Sequence, residues 1–210
     1  MNHAVILGAT GGIGSALAHS LAPKYRLSLV GRNLEKLKEL SRLPNSDIIP
    51  TDLSSELEVS ALFDMLDPVD LLVYAAGVIK PELIKTASSE HVQRVLDANL
   101  IGLLYTLKYA ESRLQEGSRV YVLGARPELI TYRGFAAYAA AKAGVKALID
   151  VAAIEMKRKT SFTLVLPKAT ASPFWETVGT PPKDALKPEE VANAIWQSLE
   201  QDAKSALLVG

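Results

Sequence analysis

The chain has 210 residues, 49% of them hydrophobic and 22% charged, a globular composition that excludes collagen-like and disordered readings. Lysine plus arginine number 23 and aspartate plus glutamate 23, so no net field draws it to nucleic acid or an anionic membrane, and neither is expected as a partner. Without cysteine there are no disulfides, zinc thiolates or thiol nucleophiles; no metal site is expected, and the chemistry falls to oxygen and nitrogen groups.

Met1 leads directly into the apolar run at residues 4–7 and then into glycines, unlike a secretory leader. The most apolar long stretch, residues 135–156, carries Lys142, Lys146, Asp150 and Glu155, too many charges for a bilayer span. A cytoplasmic protein is expected. Seven apolar runs predict strands at residues 4–7, 27–30, 47–49, 69–74, 119–123, 161–166 and 206–209. Several are continuous apolar runs, as strands covered on both faces should be. Helical spacing lies between them: Ile13, Leu17 and Leu21 share a face, then Val59, Leu62, Phe63 and Leu66, then Val92, Leu96, Leu103 and Leu107. A long helix follows at residues 135–156. Pro188 with Glu189 and Glu190 starts a last one, with Val191, Ile195 and Leu199 facing inward.

No linker rich in proline, glycine or serine divides the chain, so residues 1–210 are expected to form a single domain. Right-handed crossovers then predict an α/β fold, a doubly wound seven-stranded parallel sheet with helices on both faces. Ligands bind such sheets at the carboxyl ends of the strands. The residues that follow each predicted strand are therefore the candidates.

After the first strand stand Gly8, Ala9, Thr10, Gly11, Gly12, Ile13 and Gly14. Glycine here permits positive φ and close backbone approach, and a helix start offers N–H groups to a pyrophosphate. The spacing is Gly-x-x-x-Gly-x-Gly, which differs from the Gly-x-Gly-x-x-Gly dinucleotide fingerprint. Past the fifth strand, Tyr138 and Lys142 are four residues apart on one helical face. An ammonium beside a phenol favours phenolate, so the pair is expected to lower the tyrosine pKa toward working pH and suit proton transfer at a carbonyl or alcohol oxygen. At the end of the second strand, Arg32 follows Gly31 where a carboxylate would select NAD; a guanidinium there favours the 2′-phosphate of NADP.

The glycine turn together with Tyr138-x-x-x-Lys142 resembles the short-chain dehydrogenase/reductase family, and the likeness covers essentially the whole chain. The resemblance implies a Rossmann-type fold and a nicotinamide-dependent oxidoreductase interconverting a carbonyl and an alcohol, and Arg32 makes NADP(H) the expected cofactor in preference to NAD(H). It implies Tyr138 as general acid or base, Lys142 on the nicotinamide ribose and Asn99, in Asp97-Ala98-Asn99-Leu100, fixing a water in a proton relay. Asp52-Leu53 resembles the family's adenine-contacting Asp-Leu, and Ala75-Ala76-Gly77 its Asn-Ala-Gly with the asparagine lost. Residues 167–175 resemble its Pro-Gly-x-x-x-Thr-Pro segment, with Pro167 kept, Lys168 for glycine and Ser172 for threonine.

One departure concerns the family serine, whose position thirteen residues before Tyr138 is Ala125. Losing such a donor costs about 10²–10³ in rate, which Thr131 or Tyr132 could offset by taking its place. The alternative is a degenerate member that binds NADP(H) as a sensor or partner subunit. Phe174, Trp175, Val178, Pro181 and Pro182 form either an apolar lid or a packed connection. The small residues of the long helix, Ala136, Ala137, Ala139, Ala140, Ala141, Ala143, Gly144 and Ala147, predict a homodimer or homotetramer paired through this region.

Overall fold

Alternation along the first strand sets the layers. In β1 (Asn2–Leu7), Ala4 and Ile6 join one apolar core while Val5 and Leu7 join another on the opposite face. The computed structural model describes residues 1–210. After β1 come α1 (Gly12–Leu21), β2 (Tyr25–Gly31), α2 (Leu34–Leu40), β3 (Ser46–Pro50), α3 (Glu56–Met65) and β4 (Val69–Tyr74). The second half contains α4 (Ser89–Leu96), α5 (Gly102–Ala110), β5 (Leu114–Leu123), α6 (Ala136–Glu155), β6 (Thr160–Pro167), α7 (Pro188–Leu199) and β7 (Ala206–Val209). Helices α3, α5 and α6 cover one core with Val59, Leu103 and Val145, and α1, α2 and α7 cover the other with Leu17, Leu37 and Val191. No helix is long and apolar enough to cross a membrane.

All seven strands are parallel, in the order β3-β2-β1-β4-β5-β6-β7. The doubly wound prediction holds. The chain winds outward from β1 to β3, then returns to lay β4 on the other side of β1, which makes the β1/β4 boundary the switch point where such sheets open a crevice. Register aligns the strand ends. Leu7 pairs with both Val30 and Tyr74, and Tyr74 with Val122, so Gly8, Gly31, Ala75 and the residues after β5 emerge along one edge.

The strands run longer than their apolar cores suggested. β1 begins at Asn2 and β2 at Tyr25 because the ladder continues through polar residues, with Asn2 paired to Tyr25. β5 begins at Leu114, which pairs with Val69 across an irregularity in the register. The polar Gln115, Glu116 and Gly117 hide this extension from a pattern search. The face marked by Val92, Leu96, Leu103 and Leu107 is divided between α4 and α5 by a π-helical turn, Asp97–Ile101, whose extra residue shifts the phase of the face. That turn contains Asn99.

Candidate active site

The glycine turn is where three loops touch. Gly8 has φ +86°, and a Cβ there would lie 2.5 Å from the Ala76 amide nitrogen, so the turn rests directly on the segment after β4. A Cβ on Gly12 would come within 2.7 Å of Ser172 Cβ, on the segment after β6. Gly11 opens α1 without any side-chain cap, leaving the first turn of the helix facing the crevice with its backbone alone.

Tyr138 and Lys142 lie in the first two turns of α6, 9% and 7% exposed. The Lys142 ammonium donates to the carbonyl of Leu123, the last residue of β5, at 2.8 Å, and stands 5.7 Å from the Tyr138 ring centroid. Burial lowers the Lys142 pKa to about 8. Burial also pushes the Tyr138 phenol above its ordinary value. The expected lowering of the tyrosine by its lysine is thus corrected: desolvation alone shifts both groups, and the ammonium points at Leu123 and makes no hydrogen bond to the phenol.

Asn99 is completely buried. Its Nδ2 donates to the carbonyl of Val78 at 2.7 Å and to that of Val95 at 2.9 Å, tying the loop after β4 to α4. Its Oδ1 has no partner and lies where a Gly77 Cβ would meet it at 2.7 Å. The same Cβ would be 3.8 Å from Lys142 Nζ, so the bare α-carbon of Gly77 separates the amide from the ammonium.

A cavity of about 800 Å³ opens at this edge. Gly11, Gly12, Ile13, Ala75, Ala76, Gly77, Tyr138, Lys142, Pro167 and Ser172 all line it. Asn99 stands behind its wall. Gly8, Thr10, Arg32, Asp52 and Leu53 lie outside it, past the ends of β1, β2 and β3, and so does Gly14 within α1. Arg32 is exposed. Asp52 accepts from the Ser54 hydroxyl at 2.7 Å and its amide at 3.0 Å. Partial burial opposes its ionisation, but these bonds and the Arg32 charge outweigh that and hold its carboxyl below the usual range.

Ala125 lines the cavity and brings no hydroxyl to it. Of the two suggested substitutes, the Thr131 hydroxyl donates to Pro127 at 2.7 Å and does not reach this cavity, whereas Tyr132 lines it. The segment after β6 packs onto the site: Phe174 lies 5.6 Å from the Tyr138 ring, and Phe174, Trp175, Val178 and Pro182 line the cavity while Pro181 does not. Trp175 Nε1 donates to the Thr170 carbonyl at 2.9 Å. Ile79, Ile130, Phe135 and Thr170 also line the wall and were not singled out from sequence. Their only signal was location in loops that follow strands.

Residues 2–182 match the profile of the short chain dehydrogenases. An uncharacterized oxidoreductase of Staphylococcus haemolyticus is 31% identical over 211 residues, spanning 95% of this chain and 91% of that protein. Among solved structures, a short-chain oxidoreductase of Thermus thermophilus is 38% identical with a TM-score of 0.88, over 94% of this chain and 95% of the other. An alcohol dehydrogenase from the archaeon Thermococcus sibiricus, complexed with 5-hydroxy-NADP, is 25% identical with a TM-score of 0.88, over 100% and 96% of the two chains.

Proposed function

The chain belongs to the short chain dehydrogenase family of oxidoreductases, and on that premise we propose that it is a cytoplasmic NADP(H)-dependent enzyme interconverting a carbonyl and an alcohol. The observation that carries this reading is the pairing, inside one cavity floored by the glycine turn, of a buried phenol and a buried ammonium. A member reduced to binding could still use Lys142 to hold a nucleotide, but has no physical need for the phenol in that place.

The residues present fit a dinucleotide. The uncapped start of α1 suits a pyrophosphate, and Gly8, Gly12 and Gly14 permit backbone approach that any Cβ would obstruct. Arg32 would hold the 2′-phosphate, Asp52 and Leu53 would meet the adenine, and Lys142 would hold the nicotinamide ribose. The complex of the archaeal relative with an NADP derivative supports that choice of nucleotide. When bound, the reduced nicotinamide supplies a hydride to the carbonyl carbon.

Tyr138 provides the proton that the carbonyl oxygen then needs. Its phenol is protonated at neutral pH, the more so for its burial, and so holds the proton the reductive direction needs. Lys142, with a pKa of about 8, is mostly an ammonium at neutral pH, and its charge stabilises the phenolate that the transfer leaves behind. Asn99 directs Oδ1 toward the gap beside Gly77, where it can accept a hydrogen bond from a water that passes the proton. The test is NADPH consumption against a panel of aldehydes, ketones and quinones, paired with nucleotide titration by fluorescence. Binding without turnover of any member would favour the sensor alternative.

The assembly proposed is a homodimer or homotetramer paired through α6. Ala136, Ala140, Ala143, Ala147, Val151 and Ile154 are all exposed and recur at helical spacing along one face. Sedimentation at micromolar concentration checks this; a 22.6 kDa species would contradict it.

A further inference from the structure

The side chains around the cavity select the class of compound that can enter it. Only four charged ones reach it: Arg126, Lys142, Lys168 and Asp184. Arg126 is turned toward backbone, Nε donating to Leu166 at 3.1 Å and Nη2 to Val209 at 3.0 Å and Gly210 at 2.6 Å. Lys168 is paired with Asp184 at 2.9 Å, and Lys142 is held by Leu123 at 2.8 Å within the proton-transfer group. Every cation of the cavity therefore already has a partner. A carboxylate or phosphate carried in by a substrate would lose its water and would have to compete with that partner for a cation.

One stretch of the lining is predominantly apolar. Ile79, Ile130, Tyr132, Phe135, Phe174 and Trp175 form it, and Trp175 has its single polar atom tied to Thr170. Its rings run as a connected series: Tyr132 to Phe135 at 5.8 Å, Phe135 to Tyr138 at 6.3 Å and Tyr138 to Phe174 at 5.6 Å, with edge-on and tilted contacts. Such a wall gains from an apolar ring packed against it, next to the phenol that delivers the proton.

We infer that the substrate is an uncharged aldehyde or ketone with a bulky, ring-bearing apolar body, and that keto acids and phosphorylated sugars are excluded. This inference rests on the oxidoreductase reading above. The carbonyl carbon receives the hydride and its oxygen the Tyr138 proton, giving the alcohol and the oxidised nucleotide, and solvent reprotonates the phenolate.

The experiment compares 4-isopropylbenzaldehyde with 4-carboxybenzaldehyde, which share an electrophile and differ mainly in the charge of one similarly shaped group, in wild type and Ile130→Arg, with NADPH as reductant. Wild type is expected to favour the isopropyl compound in kcat/KM by on the order of 100-fold. In Ile130→Arg, which adds a cation at the wall, the carboxylate should gain about tenfold and the isopropyl compound should lose. A wild-type ratio near one, or a preference for the carboxylate, overturns the substrate class while leaving the oxidoreductase reading intact. If neither aldehyde turns over, calorimetry in the presence of NADPH decides. Selective binding of the isopropyl compound upholds the class and removes the catalytic reading, and binding of neither overturns the class. Failure of NADPH itself to bind removes the nucleotide reading separately.

Discussion

The hydroxyl of Thr177 donates to the carbonyl of Ile79 at 2.7 Å, joining the segment after β6 to the loop after β4 across 98 positions of sequence. Ile79 lines the cavity, and Thr177 stands between the lining residues Trp175 and Val178. Together with Phe174 on the Tyr138 ring, the bond holds the segment after β6 over a phenol that is 9% exposed. Lifting this segment off the phenol requires this bond to open.

Thr177→Val keeps the shape of the side chain and removes the donor. A neutral hydrogen bond contributes about 1 kcal/mol, so the open form should gain roughly fivefold in population. Amide exchange at residues 174–179 is expected to accelerate by about that factor, with KM rising and the rate of product release increasing. Unchanged exchange would mean that packing of Phe174, and not the hydroxyl, holds the segment.

Tyr138→Phe removes the acid and should cut turnover by about 10³ or more while nucleotide affinity changes little. Ala125→Ser restores a second donor toward the same oxygen and should raise the reductase rate on the order of tenfold or more. If Tyr132 already supplies that donor, Ala125→Ser will be neutral and Tyr132→Phe will carry the loss. Steady-state kinetics separates these outcomes, and a rate that survives Tyr138→Phe removes the proposed proton donor.

Arg32 is exposed at the end of β2, and its charge already reaches the Asp52 carboxyl. Arg32→Ala should weaken NADPH binding by about tenfold and leave NADH within about twofold, since only the former presents a 2′-phosphate to a guanidinium. Fluorescence titration with both nucleotides measures this. An unchanged preference would place the selection elsewhere.

Lys142 makes the stability of the ligand-free chain depend on pH. Its pKa falls from 10.5 to about 8 on burial, so between those values the unfolded chain binds more protons than the folded one, and stability rises with pH from about 8. Tyr138 acts in the opposite sense only above pH 10, where the unfolded phenol ionises and the buried one does not. Lys142→Met should therefore stabilise the chain at pH 7 by up to roughly 3 kcal/mol and flatten the rise between pH 8 and 10. Urea unfolding at unit pH intervals tests it. A variant with the wild-type slope would assign the rise to another group.

Periodicity was sufficient to determine the seven strands, the helices on two faces and the single crevice, because parallel strands buried on both sides must be continuous apolar runs and right-handed crossovers leave few arrangements. The glycine turn, Tyr138 and Lys142 were legible for a related reason: they are local signals, a backbone turn and two side chains one helical turn apart. The state of those side chains was decided only by the fold. Whether Lys142 lowers the tyrosine pKa depends on the carbonyl of Leu123, nineteen residues away, and on the burial of both groups, which no spacing encodes. The cavity wall is likewise a sum over distant loops: Ile79, Ile130 and Phe174 become neighbours of one phenol because β4, β5 and β6 end along the same edge. Strand patterns are written in adjacent residues, whereas desolvation, cavity shape and the pairing of every nearby cation are set by which distant segments meet.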